Sequence, residues 1–220
     1  MKKKKIKNSS FKVSVWLLAM MIVANVVLAV FLRLPFFDLV VAITGITYIA
    51  ILSNRSIFNF LFGLVNVILY VIVAYRASLY GEVIFYLLFD IPINIIALFA
   101  WKKKVRKDFT VPVRRLKLVW VLFLVIITAL ATFLYGLFLR AIGGEHVFIN
   151  ALSTCVDCIA TVLMWKRFRE QWYGWILVYV VSIILWTVAG NLLMVTMSIG
   201  CLIFSVRGFF EWRFHSRKNW

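Results

Sequence analysis

The sequence predicts an all-α polytopic membrane protein of about eight transmembrane helices, and three observations lead there. Of its 220 residues 65% are hydrophobic and 15% charged, with a mean hydropathy of +1.01, whereas soluble domains sit nearer half apolar and a quarter charged. Its apolar stretches are continuous. Strands of a membrane barrel would alternate, so the backbone must satisfy its hydrogen bonds inside helices. Its Lys and Arg residues gather in short runs between those stretches, as they do at the ends of membrane spans.

The elements follow in order. Residues 1–35 hold a basic start, Lys2 to Lys5 and Lys7, and a first span over 13–31. That span is too long for a signal-peptide core and no small-x-small cleavage site follows, so a retained helix is expected. Residues 36–101 supply spans at 36–52, 57–75 and 83–101. Residues 102–140 form a basic loop and a span at 118–139. Residues 141–213 supply spans at 147–165, 172–189 and 192–210, and 214–220 form a tail. With the N-terminus in the cytoplasm, 22 of the 25 Lys and Arg residues fall inside, and only Arg33, Arg76 and Arg140 fall outside. The positive-inside rule thus supports eight spans of a multi-pass cell-membrane protein, both termini cytoplasmic. A single linker span between two three-span blocks makes the blocks run the same way, related by an axis along the membrane normal. Leu69-Tyr70 against Leu185-Trp186, and Trp101-Lys102 against Trp212-Arg213, fit such a parallel repeat.

Several function classes drop out. A net charge of +17 would suit nucleic acid, but its spread along span ends has the membrane explanation, and no nucleic-acid partner is expected. Cys155 and Cys158 form a CxxC inside an apolar span, and His146 and His215 stand alone. Zinc needs four ligands, so these cysteines read as buried small hydrophobes, with no metal and no cofactor. No P-loop, Gly-rich dinucleotide loop, HExxH or nucleophile–base set occurs, so the chain is not read as an enzyme. Glu82, Glu145, Glu170 and Glu211 read as span-boundary residues.

Polar residues within spans are costly and mark candidate sites. Asn59, Asn66 and Tyr70 share one helical face with Gly63 between them; they can line a wet cavity or glue helices together. Asp90 and Asn94 flank Pro92, which frees a backbone carbonyl. Asn150, Thr154, Asp157 and Thr161 form one polar stripe. Trp172, Trp175, Tyr179, Ser182 and Trp186 share another face, where two indoles one turn apart can clamp a flat ring, a cationic one best. An interfacial aromatic belt also explains Trp172, but not the inward continuation through Tyr179 and Ser182.

The runs Phe148-Ile149-Asn150-Ala151-Leu152-Ser153-Thr154, Trp172-x-x-Trp175-Ile176 and Ser182-Ile183-Ile184-Leu185-Trp186 resemble the C-terminal half of the PnuC nicotinamide riboside (vitamin) transporters. Gly208-Phe209-Phe210-Glu211-Trp212-Arg213 is similar to that family's ending. Gly63, Leu69-Tyr70, Leu79-Tyr80-Gly81 and Trp101-Lys102 fit its first half, so the resemblance covers roughly 36–213. It implies a SWEET-like 3+1+3 arrangement after one extra N-terminal helix, a homotrimer, and facilitated diffusion of a small-molecule vitamin or nucleoside by alternating access. It also implies a functional link to a cytoplasmic kinase that traps the cargo. Trp172 and Trp175 would then stack the base. Asn59, Asn66 and Tyr179 would meet polar edges, and Asp90 or Asp157 the ribose or the ring charge. Tyr179, Asn150, Thr161 and Asp157 depart from the usual family residues. A carrier for thiamine, riboflavin or a deoxynucleoside, and a non-transporting membrane subunit, therefore stay open.

Overall fold

Eighteen or more apolar residues in succession are long enough, at 1.5 Å of rise each, to cross a hydrocarbon core. The computed structural model, which describes residues 2–143 and 146–216, forms eight helices of that kind. They are α1 (Lys2–Phe31), α2 (Phe36–Ser53), α3 (Asn59–Arg76), α4 (Tyr80–Lys102), α5 (Leu118–Ala141), α6 (Val147–Trp165), α7 (Gln171–Val188) and α8 (Leu192–Ser216). The predicted spans agree to within a few residues, except that α1 and α8 run on through the basic flanks. Of the residues weighed above, Glu145, Arg217, Lys218 and the last two of the tail lie outside the described residues, as do the side chains of residues 1–13.

Six helices close into a ring in the order α2, α3, α4, α6, α7, α8 and back to α2. The outer two lean on it, α1 against α2 and α8, and α5 against α6. The α2–α3 and α6–α7 turns are alike residue for residue. Each places an arginine in the left-handed region, Arg55 at φ 62° and Arg167 at φ 63°. The opposite turns match too, with Ser78 at φ 56° and Gly190 at φ 73°; glycine takes that conformation at no steric cost, serine does not.

The two triplets, α2–α4 and α6–α8, lock each other at the basic end of the bundle by the same contact made twice. The Trp101 indole donates to the Met164 carbonyl at 3.3 Å and is shared with the Trp165 carbonyl at 3.2 Å, and the Trp212 indole donates to the Leu52 carbonyl at 3.3 Å. The Met164 and Leu52 carbonyls lie in the last turn of their helices and also accept from the backbone N–H of the turn arginine, Arg167 or Arg55, each at 2.8 Å. Behind them Phe60 meets Trp101 edge-on at 5.1 Å between centroids, and Trp172 meets Trp212 edge-on at 5.9 Å. Counted from the matched turns, Trp101 comes one residue later in its triplet than Trp212 does. A π-helical turn over Tyr86–Asp90 absorbs that extra residue.

A strap over 106–117 crosses the basic end and ties both equivalent turns through backbone atoms. Ile57 donates to the Phe109 carbonyl and Val111 to that of Arg55, both at 3.1 Å. Arg114 donates to the Arg167 carbonyl at 2.8 Å, and Arg169 to that of Arg114 at 3.0 Å. Val111 and Val113 are buried beneath it.

Candidate functional site

All six ring helices contribute side chains to a central slot, a cavity of about 50 Å³. From α2 come Gly45 and Tyr48. Asn66 and Tyr70 come from α3, with Gly63 between the chains. The α4 helix adds Tyr86, Asp90 and Asn94, and α6 adds Asp157. Trp175, Tyr179 and Ser182 project from α7, and Met197, Ser198 and Cys201 from α8. No Lys, Arg or His lines it.

Its polar atoms are organised by the helix geometry. The wide π turn ends at Asp90, and two residues on stands Pro92, which has no N–H to give to the preceding turn. The Asp90 carbonyl accepts from the Asn94 side-chain amide at 2.8 Å. The Thr161 hydroxyl lies 3.2 Å from Asp90 Oδ1 and 3.3 Å from Asp157 Oδ1, so one hydroxyl links the carboxylates of two triplets. The Tyr86 hydroxyl donates to Asp157 Oδ2 at 3.1 Å. Asn66 donates to the Val41 carbonyl at 2.9 Å and to the Thr44 hydroxyl at 3.0 Å, which leaves its oxygen side for the slot. Trp175 stacks on Tyr179 at 6.1 Å, meets Tyr48 edge-on at 6.5 Å, and has its indole N–H fixed by Gln171 at 3.3 Å.

An aromatic node closes the end away from the strap. The Trp186 indole donates to the Tyr70 hydroxyl at 2.9 Å, which donates to Glu82 Oε2 at 2.7 Å. The Ser153 hydroxyl lies 3.4 Å from Glu82 Oε1. Tyr70 packs edge-on against both Tyr86 and Trp186. Farther out, Asn191 donates to Asp38 across the triplets at 2.7 Å.

Eight of the fourteen residues singled out in the sequence line the slot: Asn66, Tyr70, Asp90, Asn94, Asp157, Trp175, Tyr179 and Ser182. Trp186 stands at its end on Tyr70, and Thr154 donates to the Asn150 carbonyl at 2.9 Å. Thr161 stands behind the slot, on the two aspartates. Three others do not reach it. Asn59 lies at the start of α3 and donates to the Ser56 carbonyl at 2.6 Å. Asn150 is buried against α4, where a side chain on Gly81 would collide with its amide. Trp172 is buried over Gly208 and against Trp212, so the structure forms no clamp of two indoles. The α6 stripe is polar along its length because it faces α4, and only its middle meets the slot.

Other readings need correcting. Glu82 is no boundary residue: it is 3% exposed and holds Tyr70. Glu170 is buried too, accepting from the Leu116 backbone at 2.9 Å and pairing with Arg169 at 2.9 Å. Cys155 and Cys158 are half-buried on α6, while Cys201 is buried in the slot wall. Tyr48, Tyr86, Met197 and Ser198 were not marked by any sequence pattern. Each sits in an apolar run, and only the closed ring turns them to one centre.

The family described as nicotinamide mononucleotide transporter matches residues 35–214. A protein named nicotinamide riboside transporter PnuC from Neisseria mucosa is 32% identical over 211 residues, covering 90% of this chain and 80% of that protein. Its namesake from Haemophilus influenzae is 29% identical over 201 residues, covering 90% and 88%. The crystal structure of the vitamin B3 transporter PnuC is similar at a TM-score of 0.84 and 29% identity, over 94% of this chain and 93% of that one.

Proposed function

The chain belongs to the transporter family that includes the PnuC proteins, and from that premise we propose that it takes up nicotinamide riboside or a closely related ribosylated vitamin. One observation carries the choice of an unphosphorylated cargo. The slot wall bears the carboxyls of Asp90 and Asp157, with Glu82 just beyond, and no basic side chain. A mononucleotide would bring a phosphate dianion to buried carboxyls with no cation to receive it, which is strongly unfavourable. A riboside brings a cationic ring and hydroxyls, which this wall suits.

In this reading the ring lies on Trp175, with Tyr48 and Tyr179 about it. Asn66, Asn94 and Ser182 meet amide and ribose atoms, and Asp90 and Asp157 face the ring charge or ribose hydroxyls. A cavity of about 50 Å³ is too small for a base and a sugar together. Binding therefore requires the triplets to part, which supports alternating access. The contacts that must break are inter-triplet at both ends: the Trp101 and Trp212 locks on one side, the Trp186–Tyr70 and Asn191–Asp38 bonds on the other. Transport runs by facilitated diffusion, and a cytoplasmic kinase traps the product. The protein works as a homotrimer in the cell membrane, its basic end and both termini cytoplasmic.

Proteoliposomes holding the purified protein, with neither ion gradient nor ATP, should accumulate labelled nicotinamide riboside to equilibrium and leave the mononucleotide outside. Failure to move nicotinamide riboside, thiamine or any deoxynucleoside would remove the transport reading. A second reading, a different nucleoside or vitamin as cargo, draws on Tyr179 and Asp157, which both line the slot and both depart from the usual family residues. Competition binding with several vitamins separates the two.

A further inference from the structure

A second, larger cavity lies outside the ring. It is a groove of about 300 Å³ between α5, α6 and α7. Leu124 and Ala129 of α5 form one wall, Val156 and Leu163 of α6 the floor, and Gly174 and Leu177 of α7 the other wall. Three lining side chains carry polar atoms, Thr128, Glu170 and Tyr173. The Thr128 hydroxyl donates to the Leu124 carbonyl at 2.6 Å, and Glu170 is held by Arg169 and the Leu116 backbone. Apart from the Tyr173 phenol, the groove offers contact to hydrocarbon. It exists because α5, the most apolar span at a mean hydropathy of 2.6 with none of its window buried, leans on α6 and stands away from α7.

Depth and charge identify the occupant. Leu116 of the strap bounds the groove at the basic end, and along α5 the groove reaches Ala129, the middle of the span. At 1.5 Å per residue the half-span from Leu118 to Ala129 is about 16 Å, and one leaflet contributes about half of a ~30 Å hydrocarbon core. The groove therefore spans one leaflet from its interface to its midplane, the length of an acyl chain. Its mouth at Leu116 is flanked by Arg115 and Lys117, both exposed. A lipid with a negative headgroup would neutralise them.

We propose that this groove is a binding site for an anionic phospholipid of the leaflet at the basic end, one acyl chain lying between α5 and α7 and the phosphate seated at Arg115 and Lys117. The site is independent of the slot: no residue is shared between them.

Native mass spectrometry of the purified, delipidated protein, re-exposed to phosphatidylglycerol or to phosphatidylcholine, tests it. Phosphatidylglycerol adducts should exceed phosphatidylcholine adducts by roughly thirtyfold, the scale set by two interfacial basic residues. The double change Arg115→Gln, Lys117→Gln should erase that preference, with phosphatidylcholine binding unchanged. Ala129→Trp, which fills the groove from an exposed position, should remove the bound lipid of either kind; Val125→Trp serves if the first variant does not fold. Equal binding of the two lipids by the parent protein, or undiminished lipid on both tryptophan variants, would overturn the proposal. So would a fall in the mass of the protein assembly with the lipid count unchanged, since a second copy would then fill the groove.

Discussion

The two triplets share a backbone plan and share almost nothing of what they show the slot. Counted from the matched turns, Gly63 of the first stands where Trp175 stands in the second, Val67 where Tyr179 stands, and Tyr70 where Ser182 stands. Gly45 answers Asp157, and Tyr86 answers Ser198. All ten line the slot. The side chains differ in size or polarity at every one of these equivalent positions, and the one surplus residue in α4 widens the turn that ends at Asp90. At the basic end the rule reverses: Trp101 and Trp212 make the same bond, and Phe60 and Trp172 back them alike. The matched backbones thus make a similar clasp twice, while the slot between them is unsymmetrical side chain by side chain.

Substitutions can break or sharpen that contrast. The largest effect is expected at Trp172, a buried clasp residue. Trp172→Ala should cost about 3–5 kcal/mol of stability, read as a lowered melting temperature in detergent, with affinity for cargo in the surviving fraction unchanged. Trp175→Ala is the opposite case. It should weaken uptake roughly tenfold to a hundredfold, the worth of one ring stacked on an aromatic face, beyond the stability that this buried ring also contributes. If Trp172→Ala spared melting and abolished binding, the two indoles would belong to one site after all. Asp157→Asn should reduce uptake of a cationic riboside about tenfold and leave an uncharged nucleoside unaffected, because attraction across a buried site is mostly offset by desolvation. Equal loss for both cargoes would make Asp157 a structural link between Tyr86 and Thr161. The smallest change is Trp101→Phe, which removes one indole donor and should lower stability by about 1 kcal/mol; Trp212→Phe should match it if the clasp is as symmetric as its distances.

The sequence was a good guide to direction and a poor one to depth. Apolar run lengths located the spans because lipid imposes them. Helical spacing also grouped Asn66, Tyr70, Trp175, Tyr179 and Ser182 on faces that turn to the slot. Spacing cannot say how far along a face the slot extends. Trp172 lies one turn too near the basic end and Asn150 too near the other, so both became packing residues. Glu82 was misread for a related reason. It sits close to the start of α4, where carboxylates usually meet water, and only the α3–α4 hairpin sets it on Tyr70. Tyr48 and Tyr86 left no mark, since a phenol in an apolar run is mostly hydrocarbon.

The small slot has one more consequence. A volume of about 50 Å³ admits on the order of four water molecules, and buried rings of Trp101, Trp172 and Trp212 stand on one side of it, with Trp186 on the other. Bulky buried rings between the slot and each face should make the resting molecule an electrical insulator, so a membrane could hold many idle copies without collapsing the ion gradients across it.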